Sequence, residues 1–76
     1  MASPEKILAG LGSAENITEL EACITRLRVV VNDPTAVDEN ALKDAGAFGV
    51  VQVDNTVQVV VGPDADDLAD QLNSIR

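Results

Sequence analysis

Hydrophobic positions along this chain follow two periods in turn. Ile7, Leu8 and Leu11 recur at helical spacing behind a start signal, with Ser3 as cap, Pro4 in the first turn and Glu5 at the positive end of the dipole. Gly10 or Gly12 is placed to end that helix. From residue 16 the period changes to two. Residues 16–23 and 25–31 read as strands; in the second, Thr25, Leu27, Val29 and Val31 share one face, and Arg26, Arg28 and Val30 the other. Cys23 and Ile24 fall at the bend between them. Asn32-Asp33-Pro34 marks a turn, and Asp38 caps a second helix that ends near Gly46, with Val37 and Leu42 in the positions of a hydrophobic staple. A second hairpin pairs Phe48 to Val53 with Thr56 to Val61 across Asp54-Asn55. It sets Val57, Val59 and Val61 on one face and Gln58 on the other. Gly62-Pro63-Asp64 opens a last helix, whose apolar stripe is Ala65, Leu68, Ala69, Leu72 and Ile75.

The order helix, strand, strand, helix, strand, strand, helix predicts an α+β fold, a four-stranded antiparallel sheet with three helices packed on one face. Arg26, Arg28 and Gln58 then project from the open face. The helix–strand–strand unit recurs once at similar length, a hint of an internal pseudo-repeat. Residues 1–76 are expected to form a single domain, near the lower size limit for a self-sufficient core.

Composition removes several function classes. The formal charge of −8 disfavours nucleic acid as a partner. A single aromatic residue, Phe48, leaves no base-stacking platform or aromatic cage. There is no His for a Cys/His zinc site, no apolar run long enough to span a membrane and no signal-peptide pattern, so a protein of the reducing cytoplasm is expected, without metal or cofactor. The acidic cluster Asp64, Asp66, Asp67 and Asp70 lacks calcium-loop spacing and reads as a helix start with a solvated face.

Chemistry concentrates at Glu21-Ala22-Cys23-Ile24-Thr25-Arg26-Leu27-Arg28, which holds the only cysteine and two of the five basic residues. Positive charge beside a thiol favours the thiolate and also holds phosphate. Successive N–H groups of Ile24, Thr25 and Arg26 at the bend are candidates for an anion cradle, and Arg26 and Arg28 for bidentate donors to phosphate oxygens. A second reading fits the same residues. A turn over 22–25 makes Glu21 face Arg26 and Glu19 face Arg28, and the arginines are then plain cross-strand ion pairs in a small interaction or regulatory domain.

The stretch Asn16-Ile17-Thr18-Glu19-Leu20-Glu21-Ala22-Cys23-Ile24-Thr25-Arg26-Leu27-Arg28 resembles the IIB component of the bacterial phosphoenolpyruvate-dependent sugar phosphotransferase system, glucose/N-acetylglucosamine type. Ala45-Gly46-Ala47, Gly49-Val50-Val51 and the Val57-Gln58 strand ending in Gly62 extend the resemblance over the whole chain. The resemblance implies a phosphocysteine carrier. Cys23 would accept a phosphoryl group from a phosphohistidine of the IIA component and pass it to glucose or N-acetylglucosamine held by the membrane component IIC. It implies Arg26, Arg28 and Gln58 as phosphate-binding residues, with no cofactor. The expected protein is monomeric, cytoplasmic and brought to the inner face of the membrane by IIC.

Overall fold

The computed structural model describes residues 2–76. Helix α1 spans Pro4–Gly10, α2 Glu39–Asp44 and α3 Ala65–Ile75; the strands are β1 Ile17–Cys23, β2 Arg26–Val31, β3 Gly49–Val53 and β4 Thr56–Val60. The four strands form one antiparallel sheet in the order β1-β2-β4-β3. The expected α+β architecture is therefore the observed one. Two short 3₁₀ turns, Ala14–Asn16 and Pro34–Ala36, lie where the sequence reading placed a strand start and a loop.

The core lies between the sheet and the helices. Ile7, Leu11, Leu42, Leu68 and Leu72 close completely over Leu27, Val29, Val57 and Val59. Those four strand residues alternate along the two central strands, so a slip of one residue would turn all four into water. At ~1.5 kcal/mol or more for each side chain, that is about 6 kcal/mol, comparable with the whole stability of a small domain. The core thus dictates that Arg26, Arg28 and Gln58 face away from the helices. In β1 the register shifts between Ile17 and Glu19, and Thr18 Oγ donates to the Val30 carbonyl at 3.0 Å. That bulge lets Ile17 and Leu20, three positions apart, both reach the core.

Local signals were met unevenly. Asp38 caps α2 as expected, its Oδ1 accepting from the Ala41 N–H at 3.1 Å. Ser3 precedes α1 but gives it no side-chain cap; its hydroxyl donates to Glu5 Oε2 at 3.3 Å. Phe48 stands just outside β3 and is exposed, although its N–H donates to the Val60 carbonyl at 2.8 Å. Ile75, assigned to the apolar stripe of α3, is also exposed because it lies past the helix's last buried turn.

Buried Asn16 ties the first helix to the first hairpin. Its Nδ2 donates to the carbonyls of Leu11 at 2.8 Å and Asp33 at 3.0 Å, and its Oδ1 accepts from the Asp33 N–H at 2.8 Å. Gly12, at φ +97°, lies so close that an added Cβ would meet Asn16 Nδ2 at 2.7 Å. Truncating Asn16 leaves the Leu11 carbonyl and the Asp33 N–H without a partner, while the Asp33 carbonyl keeps the Ala36 N–H at 3.2 Å, so Asn16→Ala is expected to destabilise by about 2–4 kcal/mol, read as a lower urea midpoint at unchanged slope.

Asp33 is held below the ordinary 3.8 by hydrogen bonds from the Thr35 hydroxyl and the Thr35 N–H. A depressed carboxylate stabilises the fold above its unfolded pKa and loses that contribution as pH falls through the folded value, here below 3.8. Thr35→Ala should return the Asp33 titration toward 3.8, measured by NMR of its carboxyl carbon.

Candidate functional site

The only thiol stands at the end of an edge strand. Cys23 pairs with Arg26, which leaves Ile24 and Thr25 as a two-residue turn. Thr25 was read as the core-facing start of a strand; it is instead half-buried in the turn, because β2 begins at Arg26. Its carbonyl accepts from both the Val61 and Gly62 N–H groups, each at 3.0 Å. Gly62, at φ +95°, makes that approach. The hairpin tip is thereby fastened to the end of β4.

Ile24 breaks two local rules at once. It is a β-branched residue at φ +58°, and its side chain is 85% exposed. The left-handed conformation costs an L-residue roughly 1–2 kcal/mol, and exposure returns nothing through burial. The two-residue turn itself calls for a positive φ at this position, and Asp54 meets the same demand at φ +54° in the second hairpin.

Register then sets the charges. One row across the open face runs Cys23, Arg26, Val60, Gly49; the next runs Glu21, Arg28, Gln58, Val51. Arg26 Nη1 reaches diagonally between the rows to donate to Gln58 Oε1 at 2.8 Å. Arg28 Nη1 donates to Glu21 Oε1 at 3.3 Å. The expected pairing of Glu21 with Arg26 and Glu19 with Arg28 is corrected: the turn is shifted by one position, so Glu21 faces Arg28 and Glu19 faces Val30. An exposed ion pair of this kind contributes at most about 1 kcal/mol to stability.

Cys23, Ile24, Thr25, Arg26, Arg28 and Gln58 line one open cleft of about 320 Å³. These are the six residues the sequence singled out. The thiol is free and exposed. Two guanidiniums on the floor of an open cleft beside a nucleophilic sulfur suit a compact dianion with oxygens to share. Glu21 was read in the sequence only as a strand partner; its place beside the cleft follows from register, which no local signal there specifies.

Residues 5–38 match the family model described as "phosphotransferase system, EIIB". The chain is 56% identical over 71 residues to the N-acetylglucosamine-specific EIIB component of Streptomyces coelicolor, covering 93% of this chain and 92% of that protein. The chain belongs to the EIIB family. It is also 47% identical over 72 residues to the glucose-specific EIICBA component of Staphylococcus carnosus, covering 95% of this chain and 11% of that protein. The fold is similar to that of one domain of the PTS system IIabc component from Clostridium difficile, with a TM-score of 0.73 at 21% identity over 93% of this chain and 72% of that one.

EIIB proteins are the phosphoryl carriers of sugar uptake through this system, and the chain has that role. The matched segment of the family model includes Cys23, Arg26 and Arg28, whereas Gln58 comes from the second hairpin. This EIIB protein therefore assembles its cleft from both halves of the sheet. Among the described residues no helix is long and apolar enough to cross a membrane.

The turn strain gives a direct measurement. Ile24→Asn, with a residue that tolerates the left-handed region, is expected to raise stability by about 1 kcal/mol in urea unfolding. A loss of stability instead would mean that the exposed isoleucine makes favourable contacts.

Proposed function

We propose that Cys23 is the atom-bearing residue of the carrier step, with Arg26, Arg28 and Gln58 as its phosphate clamp. The observation that carries this reading is the placement of both arginines on the face of the only thiol, Arg26 in its row and Arg28 in the next, in one cleft. The Cys23 thiolate attacks the phosphorus of a phosphohistidine on a IIA component; the P–N bond breaks as the P–S bond forms, and the released imidazole nitrogen takes up a proton. In the second step a sugar hydroxyl held by IIC attacks the same phosphorus, the P–S bond breaks, the hydroxyl proton passes to a base of that partner, and the thiolate is restored. A thiolate needs no separate general base to act as nucleophile. Phosphoryl transfer then depends on in-line placement and on donors aimed at the equatorial oxygens, which Arg26, Arg28 and the N–H groups of Ile24 and Thr25 supply.

The names of the relatives support N-acetylglucosamine or glucose as the sugar and IIA and IIC as partners; a carrier that serves a membrane-embedded IIC would work at the inner face of the membrane. In this reading residues 1–76 act as one IIB domain.

Incubation with phosphoenolpyruvate and the upstream carrier proteins should add one phosphoryl group, seen by intact-mass spectrometry and located on Cys23 by fragmentation. Cys23→Ser should abolish it. Absence of any phosphorylated species beside a fully phosphorylated IIA would overturn the reading. Arg26→Lys and Arg28→Lys should leave the fold intact and lower the rate of sugar phosphorylation by roughly tenfold or more, because an ammonium replaces a planar two-donor fork. Unaltered sugar phosphorylation in both variants would remove the clamp.

A further inference from the structure

We infer that Glu21 is a positioning residue that competes with the phosphoryl group for Arg28 and so keeps the phosphocysteine ready to give up its phosphoryl. The inference rests on the reading of Cys23 as phosphoryl acceptor. Glu21 and Cys23 lie two positions apart on β1 and face the same side, and their cross-strand partners are Arg28 and Arg26. The two arginines are held by different kinds of acceptor. Arg26 donates to the neutral amide oxygen of Gln58 at 2.8 Å, whereas Arg28 donates to the anionic carboxylate of Glu21 at 3.3 Å.

The Arg28–Glu21 pair is open to water, with the two side chains 44% and 66% exposed, so it adds little to the stability of the fold. Its effect falls on the guanidinium. A free Arg28 would swing through many rotamers; bound to Glu21 it stays in the row beside the sulfur. When Cys23 carries a phosphoryl group, a second anion stands within reach of the same donors. Arg28 is then shared between carboxylate and phosphoryl oxygens, while Arg26, which has only a neutral partner, turns fully to the phosphoryl. Like charge between Glu21 and the phosphoryl oxygens raises the energy of the loaded state and leaves the empty thiol state paired. The P–S bond itself is made and broken as in the transfer steps above, and Glu21 gains or loses no proton in them.

The test uses Glu21→Gln, which keeps shape and removes charge, and Glu21→Asp, which keeps charge. Titration of the unphosphorylated proteins with inorganic phosphate is followed through the Arg26 and Arg28 side-chain N–H signals by NMR. Glu21→Gln should bind phosphate about fivefold tighter than the parent protein, with the larger change at Arg28, and Glu21→Asp should stay near the parent value. In the same variants, equilibration with a phosphohistidine IIA donor should shift toward the loaded EIIB by a similar factor for Glu21→Gln. Its transfer to sugar should slow.

Unchanged or weaker phosphate binding by Glu21→Gln, with an intact backbone spectrum, would overturn the inference. So would an unshifted donor equilibrium in a variant whose Cys23 is still phosphorylated. Tighter phosphate binding without any phosphocysteine in the parent protein would leave the competition for Arg28 standing and strike down the carrier reading of Cys23. A merely structural role for Glu21 would lower the unfolding midpoint and leave both equilibria where they were.

Discussion

The site hangs on one carbonyl. Thr25 C=O receives two N–H groups from the end of β4, at 3.0 Å each, and this holds a turn whose first residue sits at φ +58°. Two backbone hydrogen bonds contribute roughly 1–3 kcal/mol net, enough to offset the roughly 1–2 kcal/mol of left-handed strain at Ile24. Without that tie the tip of a two-stranded ribbon would fray. With it, the last residue of β1 and the first of β2 are fixed relative to the second hairpin. Asn55 makes the matching tie at the far end, its carbonyl accepting from the Val31 N–H at 2.8 Å and its Nδ2 donating to the Val31 carbonyl at 2.8 Å. Each hairpin turn is thus stitched to the neighbouring hairpin, and the sheet's centre is clamped from both ends.

Charge acts on two length scales. A chain of formal charge −8 repels small anions at a distance, but beyond a Debye length of about 8–10 Å that field is largely screened in physiological salt. Within the cleft the two guanidiniums dominate. Phosphate free in solution is thus a poor match for the whole surface, and a phosphoryl group brought in by direct contact meets only the favourable part. The same separation reconciles the proposed dianion clamp with an acidic protein whose overall charge is not reversed.

Much of this was legible in the sequence because each element carried several agreeing signals. The alternation of Leu27, Val29, Val57 and Val59 fixed the face on which Arg26, Arg28 and Gln58 emerge, and those four are fully buried. Asp38, Val37 and Leu42 marked the second helix by cap and staple. Register at the first turn was not legible, since Ile24 and Thr25 are poor turn residues by local preference and the tie to Gly62 comes from far along the chain. That one-position shift decided which acid meets which arginine. The bulge at Thr18 and the Asn16 knot were hidden for a related reason, because both are settled by partners on another element. The order of strands in the sheet likewise follows from the contact between β2 and β4, which no hairpin signal encodes.

All the helical cover lies on one side of the sheet, and the sulfur lies on the other, with no side chain above Gly49 in its own row. Half of a water-excluding chamber is therefore present: a floor and one set of donors, with neither roof nor far wall. Enzymes that shelter a reactive phosphoryl usually close a lid over it. On the proposed carrier reading the missing half arrives with whichever protein is docked, and the chamber exists only during an encounter. Between encounters a phosphoryl on Cys23 would stand in bulk water, and its lifetime would be set by the intrinsic resistance of a thiophosphate to hydrolysis.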